Sequence, residues 1–452
     1  MAELVMKYQQ YAEYKDSGVE WLGEIPSHWE VVPIKHLAIL NPKKSALSQD
    51  LMSDECSFVP MEKLKFNSLV LDEKKVIKDV YDGYTYFENE DILVAKVTPC
   101  FENNNTTIAQ DLINGVGFGS SEIFVLRVND KVNNRYLFYR LLETMFISVA
   151  TAAMTGAGGL RRVPAETINT YPIAVPDINE QTQIANFLDF ETAQIDTLIE
   201  KQQTLIQLLK EKRQAVISHA VTKGLNSDAP MKDSGVEWLG EVPEHWNVLA
   251  ISKLTQKITN GYVGPTRDIL VKQGVPYVQA THIKRGNINF DDAYFVTDSW
   301  SKKHSKSILK KGDVLVVQTG AGTGDIGLVT EKEEDYNCHA LIILQPKTDL
   351  ILGSYLSLIL QSSYGYSALY SIRTGGMHPH LNCGEVRYVK VPTPTIDEQQ
   401  KIVEYIEGMK SKFDELTRSA QQAIQLMQER RTALISAAVT GKIDVRGWQA
   451  PE

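Results

Sequence analysis

Apolar residues recur at heptad-like steps along two long segments of this 452-residue chain. No Pro or Gly interrupts residues 180–223, and only Gly408 interrupts residues 398–440. The apolar positions are Ile184, Leu188, Ile195, Leu198, Leu205, Leu209 and Val216 in the first segment, and Ile402, Ile406, Met409, Phe413, Leu416, Met427 and Leu434 in the second. The pattern predicts two helices of about 42 residues, each roughly 63 Å long, which pair as an intramolecular coiled coil. The alternative is two core helices of separate globular domains.

Both predicted helices begin with start signals. Pro176 and Pro394 precede them, and the residues that follow offer side-chain caps. The cap candidates are Asp177 or Asn179 for the first helix, and Thr395 or Asp397 for the second.

Shorter apolar runs rich in β-formers lie ahead of each long helix. They are "DILVAKV" (91–97) and "EIFVLRV" (122–128) in the first half, and "DVLVVQT" (313–319) and "ALIILQP" (340–346) in the second. Helical segments follow at 134–153 and 353–371. Each stretch is therefore predicted to form a compact α+β domain with a curved, mostly antiparallel sheet.

The two halves of the chain repeat one another at their ends. Residues 15–37 match residues 232–254 at 16 of 23 positions, and "KDSGVEWLGE" occurs in both. Downstream, "INEQTQIANFL" from Ile178 corresponds to "IDEQQKIVEYI" from Ile396, at nearly the same offset. The chain is therefore a tandem duplication, with a turn-rich linker at 222–235.

The segments between the repeated ends diverge. "KVTPCFENNNTTIA" (96–109) stands where the second half has "QTGAGTGDIGLV" (318–329), and "MTGAGGLRRVPAETI" (154–168) stands opposite "RTGGMHPHLNCGEV" (373–386). A preserved frame with different loops is what a symmetric scaffold with two different binding surfaces would show.

Composition narrows the class of protein. The hydrophobic content of 43% and charged content of 23% are those of an ordinary globular protein. No signal peptide or membrane span is expected, and four widely spaced cysteines indicate free thiols in a reducing cytoplasm. The net charge of −9 argues against a chain that grips nucleic acid tightly on its own.

The repeated motifs resemble those of a known family. "S-G-V-E-W-L-G-E-[IV]-P-x-H-W" at 17–29 and 234–246, followed by "P-x-[IL]-x-E-Q-x-x-I" at 176–184 and 394–402, is similar to the specificity (S) subunit of type I restriction–modification systems. The resemblance covers nearly the whole chain. It implies an α+β fold class: two globular target-recognition domains joined by two long antiparallel coiled-coil helices, in a pseudo-twofold tandem duplication.

The resemblance also implies the limits of each segment. Target-recognition domain 1 is expected at 1–176, the central long helix at 177–224, the linker and target-recognition domain 2 at 225–393, the C-terminal long helix at 394–443, and a tail at 444–452.

The implied function is DNA sequence recognition without catalysis. Each domain would recognise half of a bipartite, asymmetric site in double-stranded DNA. Two methyltransferase (M) subunits and the restriction/translocase (R) subunits would dock on the chain, in the cytoplasm and with no membrane. No cofactor is expected in this chain, because S-adenosylmethionine, ATP and Mg would be bound by the partner subunits.

The sequence disfavours two other functions. A single-chain enzyme is disfavoured because the chain has no P-loop and no Asn/Asp-Pro-Pro-Tyr/Phe motif of amino methyltransferases. "GTGDIG" (322–327) follows a strand, but "LVTEKEEDYN" after it does not predict the helix that a dinucleotide site needs. A coiled-coil scaffold with no DNA role is disfavoured by the polar, divergent loops.

The residues expected to contact DNA are those whose side chains bond to base edges and that lie in the divergent loops. In the first domain they are Lys96, Thr98, Asn103, Asn104, Asn105, Thr155, Arg161 and Arg162; in the second they are Gln318, Thr319, Thr323, Arg373, Thr374, His378 and His380. For any one of them the alternative is a solvated loop side chain, and for His378 and His380 a structural role. No catalytic, cofactor-binding or metal site is predicted. Trp21, Trp29, Trp238 and Trp246 are expected to pack each domain against a long helix, with binding hot spots as the alternative.

Overall fold

The computed structural model describes residues 8–157, 159–284, 286–290, 294–375 and 380–451. The chain divides into two compact units, one made of Met1–Gln202 with Gln422–Glu452 and the other of Gln203–Gln421. Each unit contains one globular domain and a part of each long helix.

The α-helices, in chain order, are α1 (Ile77–Val80), α2 (Asn134–Leu141), α3 (Thr144–Ala152), α4 (Ala165–Thr170), α5 (Ile178–Lys223), α6 (Ile251–Leu254), α7 (Asp298–Lys303), α8 (Gly353–Gln361), α9 (Ser363–Ser371), α10 (Cys383–Val386) and α11 (Ile396–Val439). The strands of the first unit are β1 (Tyr14–Asp16), β2 (Glu24–Pro26), β3 (Glu30–Pro33), β4 (Ala38–Leu40), β5 (Glu55–Val59), β6 (Leu64–Lys65), β7 (Ser68–Leu69), β8 (Lys74–Val76), β9 (Thr85–Glu88), β10 (Ile92–Ala95), β11 (Thr106–Ile108), β12 (Val116–Gly119), β13 (Ile123–Val128), β14 (Thr155–Ala157), β15 (Leu160–Arg162) and β16 (Pro172–Val175).

The strands of the second unit are β17 (Met231–Asp233), β18 (Glu241–Pro243), β19 (Asn247–Ala250), β20 (Thr255–Asn260), β21 (Leu270–Val271), β22 (Val275–Val278), β23 (Ile283–Lys284), β24 (Asn287–Ile288), β25 (Phe295–Val296), β26 (Val314–Val317), β27 (Ile326–Leu328), β28 (Asn337–Cys338), β29 (Leu341–Pro346) and β30 (Lys390–Thr393).

The two globular domains share the plan of one four-stranded sheet and differ in that of the other. In the first, one sheet has the order β11-β10-β13-β4 and a second has the order β8-β5-β12-β9. In the second, the order β27-β26-β29-β20 matches the first of these sheets, whereas the order β21-β25-β22-β28 places its parallel pair at the edge of the sheet. All neighbours are antiparallel except one parallel pair in each domain, β5 with β12 and β22 with β28. The α+β class and the mostly antiparallel sheets are thus confirmed.

The duplication extends to turn chemistry. Asp91 precedes β10 and accepts a hydrogen bond from the backbone N–H of Glu88 at 2.8 Å. Asp313 precedes β26 and accepts one from the backbone N–H of Lys310 at 3.0 Å. Each carboxylate therefore closes the turn that leads into one of the two inner strands of its sheet.

The predicted helical segments after the sheets are each two helices. Glu143 accepts hydrogen bonds from the backbone N–H groups of Met145 and Phe146 and so begins α3. Ser362 accepts one from the backbone N–H of Gly365 and begins α9. These caps end one helix and start the next, which the apolar pattern alone does not reveal.

Both long helices are confirmed, with caps at their starts. The Asp177 carboxylate accepts hydrogen bonds from the backbone N–H groups of Asn179 and Glu180, at 2.9 and 3.0 Å. Thr395 accepts one from the backbone N–H of Glu398 at 3.3 Å. Of the candidate caps, Asp177 and Thr395 are the ones that act.

Within each unit the two helices pack in opposite directions. In the first unit, Ile184, Leu188 and Ile195 of α5 share a core with Leu434 and Ile435 of α11. Asp196 and Arg431 form an ion pair there. In the second unit, Ile217 and Val221 near the end of α5 share a core with Ile402 and Ile406 near the start of α11.

The predicted apolar seam is wrong in the middle of the helices. Leu198, Leu205 and Leu416 are 48%, 41% and 51% exposed. The buried position near the end of α5 is Ile217, one residue beyond the predicted Val216. A straight α-helix drifts by about 20° per heptad against a strict seven-residue repeat, so a heptad register set at the start of the helix loses the buried face further along.

The repeated motifs form a joint at the base of each domain. In the first unit, the Glu180 carboxylate accepts hydrogen bonds from the Trp29 indole at 3.0 Å and the Tyr11 hydroxyl at 2.7 Å, and it pairs with His28 at 2.8 Å. In the second, Glu398 accepts from Trp246 and pairs with His245, both at 3.0 Å.

The glutamine after each of these glutamates ties the helix to the domain. The Gln181 amide donates to the carbonyls of Lys131 and Pro176, and its oxygen accepts from the backbone N–H of Asn133. Gln399 makes the same pattern with Leu350, Pro394 and Leu352. Both side chains are buried.

Each joint also holds the end of the other long helix. Gly441 follows α11, and a Cβ added there would lie 2.3 Å from Pro26, beside Trp29. Gly224 follows α5 and packs in the same way against Trp246. Both glycines have positive φ, at 71° and 79°, as expected of a helix C-terminus. The start of one helix and the end of the other therefore meet at one tryptophan.

The packing role predicted for the tryptophans holds for two of the four. Trp29 and Trp246 are fully buried, whereas Trp21 and Trp238 are 43% and 56% exposed. Trp21 stacks on Tyr171, with ring centroids 6.0 Å apart.

The joint generates a stability prediction. Glu180→Ala leaves the buried N–H of Trp29 and the hydroxyl of Tyr11 without their acceptor, so we expect a loss of about 2–5 kcal/mol, seen as a lower midpoint of urea-induced unfolding. Glu200→Ala, at an exposed position of the same helix, is the control. Equal midpoints for the two variants would contradict a structural role for this carboxylate.

Candidate nucleic-acid interface

The divergent segments of the first unit meet at one place. The loop 96–105 follows β10, and the hairpin of β14 and β15 docks against it. The backbone N–H of Thr98 donates to the Arg161 carbonyl at 3.1 Å, and that of Val163 donates to the Lys96 carbonyl at 3.0 Å. The Thr98 hydroxyl accepts from the Arg161 N–H and donates to the Gly159 carbonyl. We call loop 96–105 with the described residues of 155–162 the first surface.

The loop of the first surface is held by its own turns. Phe101 is buried, and its backbone N–H donates to the Val97 carbonyl. Asn103 is exposed, and Asn104 and Asn105 are partly exposed. Asn104 has a φ of 55°, and its side-chain oxygen is buried without a hydrogen-bond partner among the described residues. Asn103 therefore offers its amide to solvent most freely.

The cations of the first surface contact carboxylates or carbonyls. Arg161 pairs with Glu102 at 3.0 Å, and Arg162 with Glu122 at 2.7 Å. Lys96 donates to the Ser121 carbonyl at 3.0 Å. The hydrogen bond from Arg162 lowers the pKa of the Glu122 carboxyl, aided by the nearby charge of Lys96 and opposed by partial burial. Glu122 is therefore ionised at neutral pH.

The second unit brings its divergent segments together at the corresponding place, after β26. The backbone N–H of Leu381 donates to the Gln318 carbonyl at 2.9 Å, and Thr319 forms a β-bridge with His380. Thr374 and His380 exchange backbone hydrogen bonds of 3.0 and 2.8 Å, and their side chains are also bonded. We call residues 318–325 with 373–375 and His380 the second surface. The predicted contact residue His378 lies outside the described residues.

The glycine-rich part of the second surface is a tight turn between two strands. The Thr323 hydroxyl donates to the Gly320 carbonyl at 2.6 Å, and the Gly324 N–H donates to the Val317 carbonyl at 2.9 Å. Gly320 and Gly324 have φ of 94° and 96°. The turn runs into strand β27, so "GTGDIG" lacks the helix that would meet a pyrophosphate.

Arg373 braces this turn. Its Nη2 donates to the Thr323 carbonyl, and its guanidinium lies over the rings of Tyr370 and Tyr366, at 4.8 and 5.8 Å. The two tyrosine rings are themselves stacked, with centroids 6.0 Å apart. The guanidinium of Arg373 therefore holds the turn in place and does not project freely from it.

The structure thus groups fourteen of the fifteen predicted residues into two surfaces, eight in the first and six in the second, and His378 lies outside the described residues. It also adds residues that the sequence did not single out. These additions are Glu102, Glu122, Tyr366 and Tyr370. The tyrosines sit four residues apart on α9 and so share one face, which is a signal the sequence carries. The sequence carries no such signal for the carboxylates, because Glu122 lies forty positions from Arg162 in the chain.

The described residues meet neither the requirements of a metal site nor those of a membrane-spanning helix. Among them, no group of three or more His, Cys, Asp or Glu side chains could hold a metal ion. No helix in the described part of the chain is long and apolar enough to cross a membrane. The surfaces offer hydrogen-bonding side chains, guanidinium groups and close backbone approach, which are the means of base readout.

A family model and several known proteins match this chain. A model of the type I restriction modification DNA specificity domain matches residues 26–210 and again residues 243–426. The chain is 24% identical to the type I restriction enzyme EcoAI specificity subunit of Escherichia coli, over 87% of this chain and 78% of that protein. It is 22% identical to the MjaVIII specificity subunit of Methanocaldococcus jannaschii, over 93% and 94%.

Solved structures show the same fold. A chain from a study of complex assembly and conformational transition of the type I R-M system has a TM-score of 0.72 at 13% identity, covering 92% of this chain and 98% of that one. The HsdS subunit from Thermoanaerobacter tengcongensis has a TM-score of 0.53 at 13% identity, covering 93% and 98%. With a family match to both halves and relatives that span nearly its whole length, the chain belongs to the DNA specificity subunits of type I restriction–modification systems.

Proposed function

We propose that this chain gives a type I restriction–modification complex a bipartite DNA target, with one half-site read by the first surface and the other by the second. The observation that carries the proposal is the correspondence of the two surfaces. Both follow the equivalent inner strand of matching sheets, β10 and β26, yet their side chains differ. A duplicated frame with unlike surfaces suits an asymmetric target in two parts.

The chemistry of the surfaces supports base readout. The exposed hairpin of β14 and β15 is a two-stranded ribbon, a shape that the DNA major groove admits. Arg, Asn, Thr and His side chains at the two surfaces match the donors and acceptors of base edges. The net charge of −9 leads us to expect weak DNA binding by the isolated chain, with partner subunits supplying most of the phosphate contacts.

The same proposal includes the partner subunits of the chain. Two M subunits dock on the chain and R subunits join for restriction, in the cytoplasm. The partners bind S-adenosylmethionine, ATP and Mg, and this chain contributes no catalysis. A scaffold with no DNA role is the rival function. A gel mobility shift with the methyltransferase subunits separates the two functions. If the chain is only a scaffold, adding it does not change the preference of those subunits for the target site over other DNA.

The first prediction concerns the host genome. Deleting the gene in a strain with its methyltransferase genes intact should remove one bipartite N6-methyladenine motif from long-read maps of modified bases. Restoring the gene should restore the motif. Unchanged methylation in a strain whose methyltransferase subunits are expressed would contradict the proposal.

The second prediction concerns the independence of the half-sites. Arg373→Ala removes the brace of the second surface and should relax or abolish only one half-site, while Arg161→Ala should affect only the other. Arg387→Ala, at an exposed position outside both surfaces, is the matched control. Methylation of an unchanged motif at the wild-type rate by both test variants would refute the assignment.

The third prediction concerns the spacer. Helix α5 has 46 residues and is about 69 Å long. Four residues inserted within 200–214, with four inserted in the facing part of α11, lengthen both helices by about 6 Å, close to two base-pair steps. We expect a longer spacer between unchanged half-sites in the methylation motif. An unchanged spacer in a folded, active variant would show that the helices do not set this distance.

A further inference from the structure

We propose that Arg162 reads a guanine in the half-site of the first surface and that Glu122 is the residue that positions it. The inference rests on the proposed function and deepens it, because it names a base and a supporting residue. Neither follows from membership of the family, since Arg162 lies in the divergent segment 154–168 and the position of Glu122 is taken by Ala340 in the second half.

The contact between the two side chains leaves one edge of the guanidinium open. Nε of Arg162 donates to both carboxylate oxygens of Glu122, at 3.1 and 2.9 Å, and Nη2 donates to one of them at 2.7 Å. These bonds occupy the side-on edge formed by Nε and Nη2. The end-on edge, formed by Nη1 and the second hydrogen of Nη2, has no partner among the described residues, and the side chain is 43% exposed.

The open edge has the geometry of a guanine reader. A guanidinium is planar and rigid, so fixing one edge fixes the direction of the other. Two parallel N–H groups match the O6 and N7 acceptors of guanine in the major groove. Holding the group in place beforehand lowers the side-chain entropy lost on binding.

Glu122 is itself held in place. It lies just before β13, and its backbone carbonyl accepts a hydrogen bond from the N–H of Lys96 at 2.9 Å. Its own backbone N–H donates to the Ser120 hydroxyl at 3.2 Å. Arg162 in turn forms a β-bridge with Val97. The pair therefore stands between two fixed strand ends and not on a free loop.

The neighbouring Arg161 makes different contacts from those of Arg162. Successive residues of a strand point to opposite faces, so Arg161 faces away from Glu122. It makes one side-chain bond, to Glu102 at 3.0 Å, and is 47% exposed. Arg373 of the second surface differs again, because its Nη2 is bound to a carbonyl and its face is covered by tyrosines. Among these three, Arg162 alone combines a carboxylate on its side-on edge with an open end-on edge.

The test measures base preference at each motif position in strains carrying Arg162→Ala, Arg162→Lys, Glu122→Ala or Glu122→Gln. We expect one guanine of one half-site to become degenerate in both Arg162 variants, with discrimination lowered roughly 5- to 150-fold. The same position should relax in Glu122→Ala and to a smaller extent in Glu122→Gln, while the other half-site stays intact. Glu166→Ala, at an exposed position outside both surfaces, should leave that position unchanged.

Two results would overturn the inference. If Arg162→Lys keeps the wild-type motif, a positive charge suffices at this position and the fixed edge of the guanidinium is not what reads the base. If Glu122→Ala lowers methylation evenly without relaxing one position, Glu122 is only structural. Copurification with the methyltransferase subunits verifies that each variant is folded. A wild-type gene that yields no bipartite motif would defeat the proposed function itself, whereas a wild-type motif untouched by Arg162→Ala defeats the inference alone.

Discussion

A carboxylate in the first turn of each long helix, buried at Glu180 and partly buried at Glu398, makes the interaction on which the rest of the structure depends. Glu180 and Glu398 each accept the indole N–H of a fully buried tryptophan and pair with the histidine before it. A buried indole without an acceptor is costly, so the position of the helix relative to its own domain is narrowly defined. Because the glycine after the other helix packs on the same tryptophan, one joint fixes two helix ends to one domain.

The frame and the surfaces divide the polar residues between them. At the joints, the polar side chains satisfy one another within the protein, as Gln181 and Gln399 do with three backbone partners each. At the surfaces, several groups keep unused bonding capacity, as Asn103 and the end-on edge of Arg162 do. The same two kinds of site occur in both halves, but only the joints repeat in sequence. Stability and recognition are therefore carried by separate sets of residues.

Much of this arrangement could be predicted from the sequence, and the failures have physical causes. The central strands, the long helices and the duplicated joint follow from periodicity and repetition, which are local signals. The exposure of Leu198, Leu205 and Leu416 was missed because a seven-residue repeat loses register with a straight helix. The pairing of Arg162 with Glu122 was missed because only the folded sheet brings those segments together. The bracing role of Arg373 likewise depends on tyrosines whose orientation the sequence does not give.

The hairpin of the first surface is attached mainly through its main chain. The bonds from Thr98 to Arg161 and from Val163 to Lys96 join backbone groups, which every residue other than proline can supply. Thr98 also bonds to the hairpin through its hydroxyl, but replacing the side chain of Lys96 or Arg161 leaves these backbone bonds intact while changing what is presented to solvent. Such a surface can acquire a new preference in single mutational steps without passing through an unfolded intermediate, so the fold is well suited to evolve under pressure for new specificities.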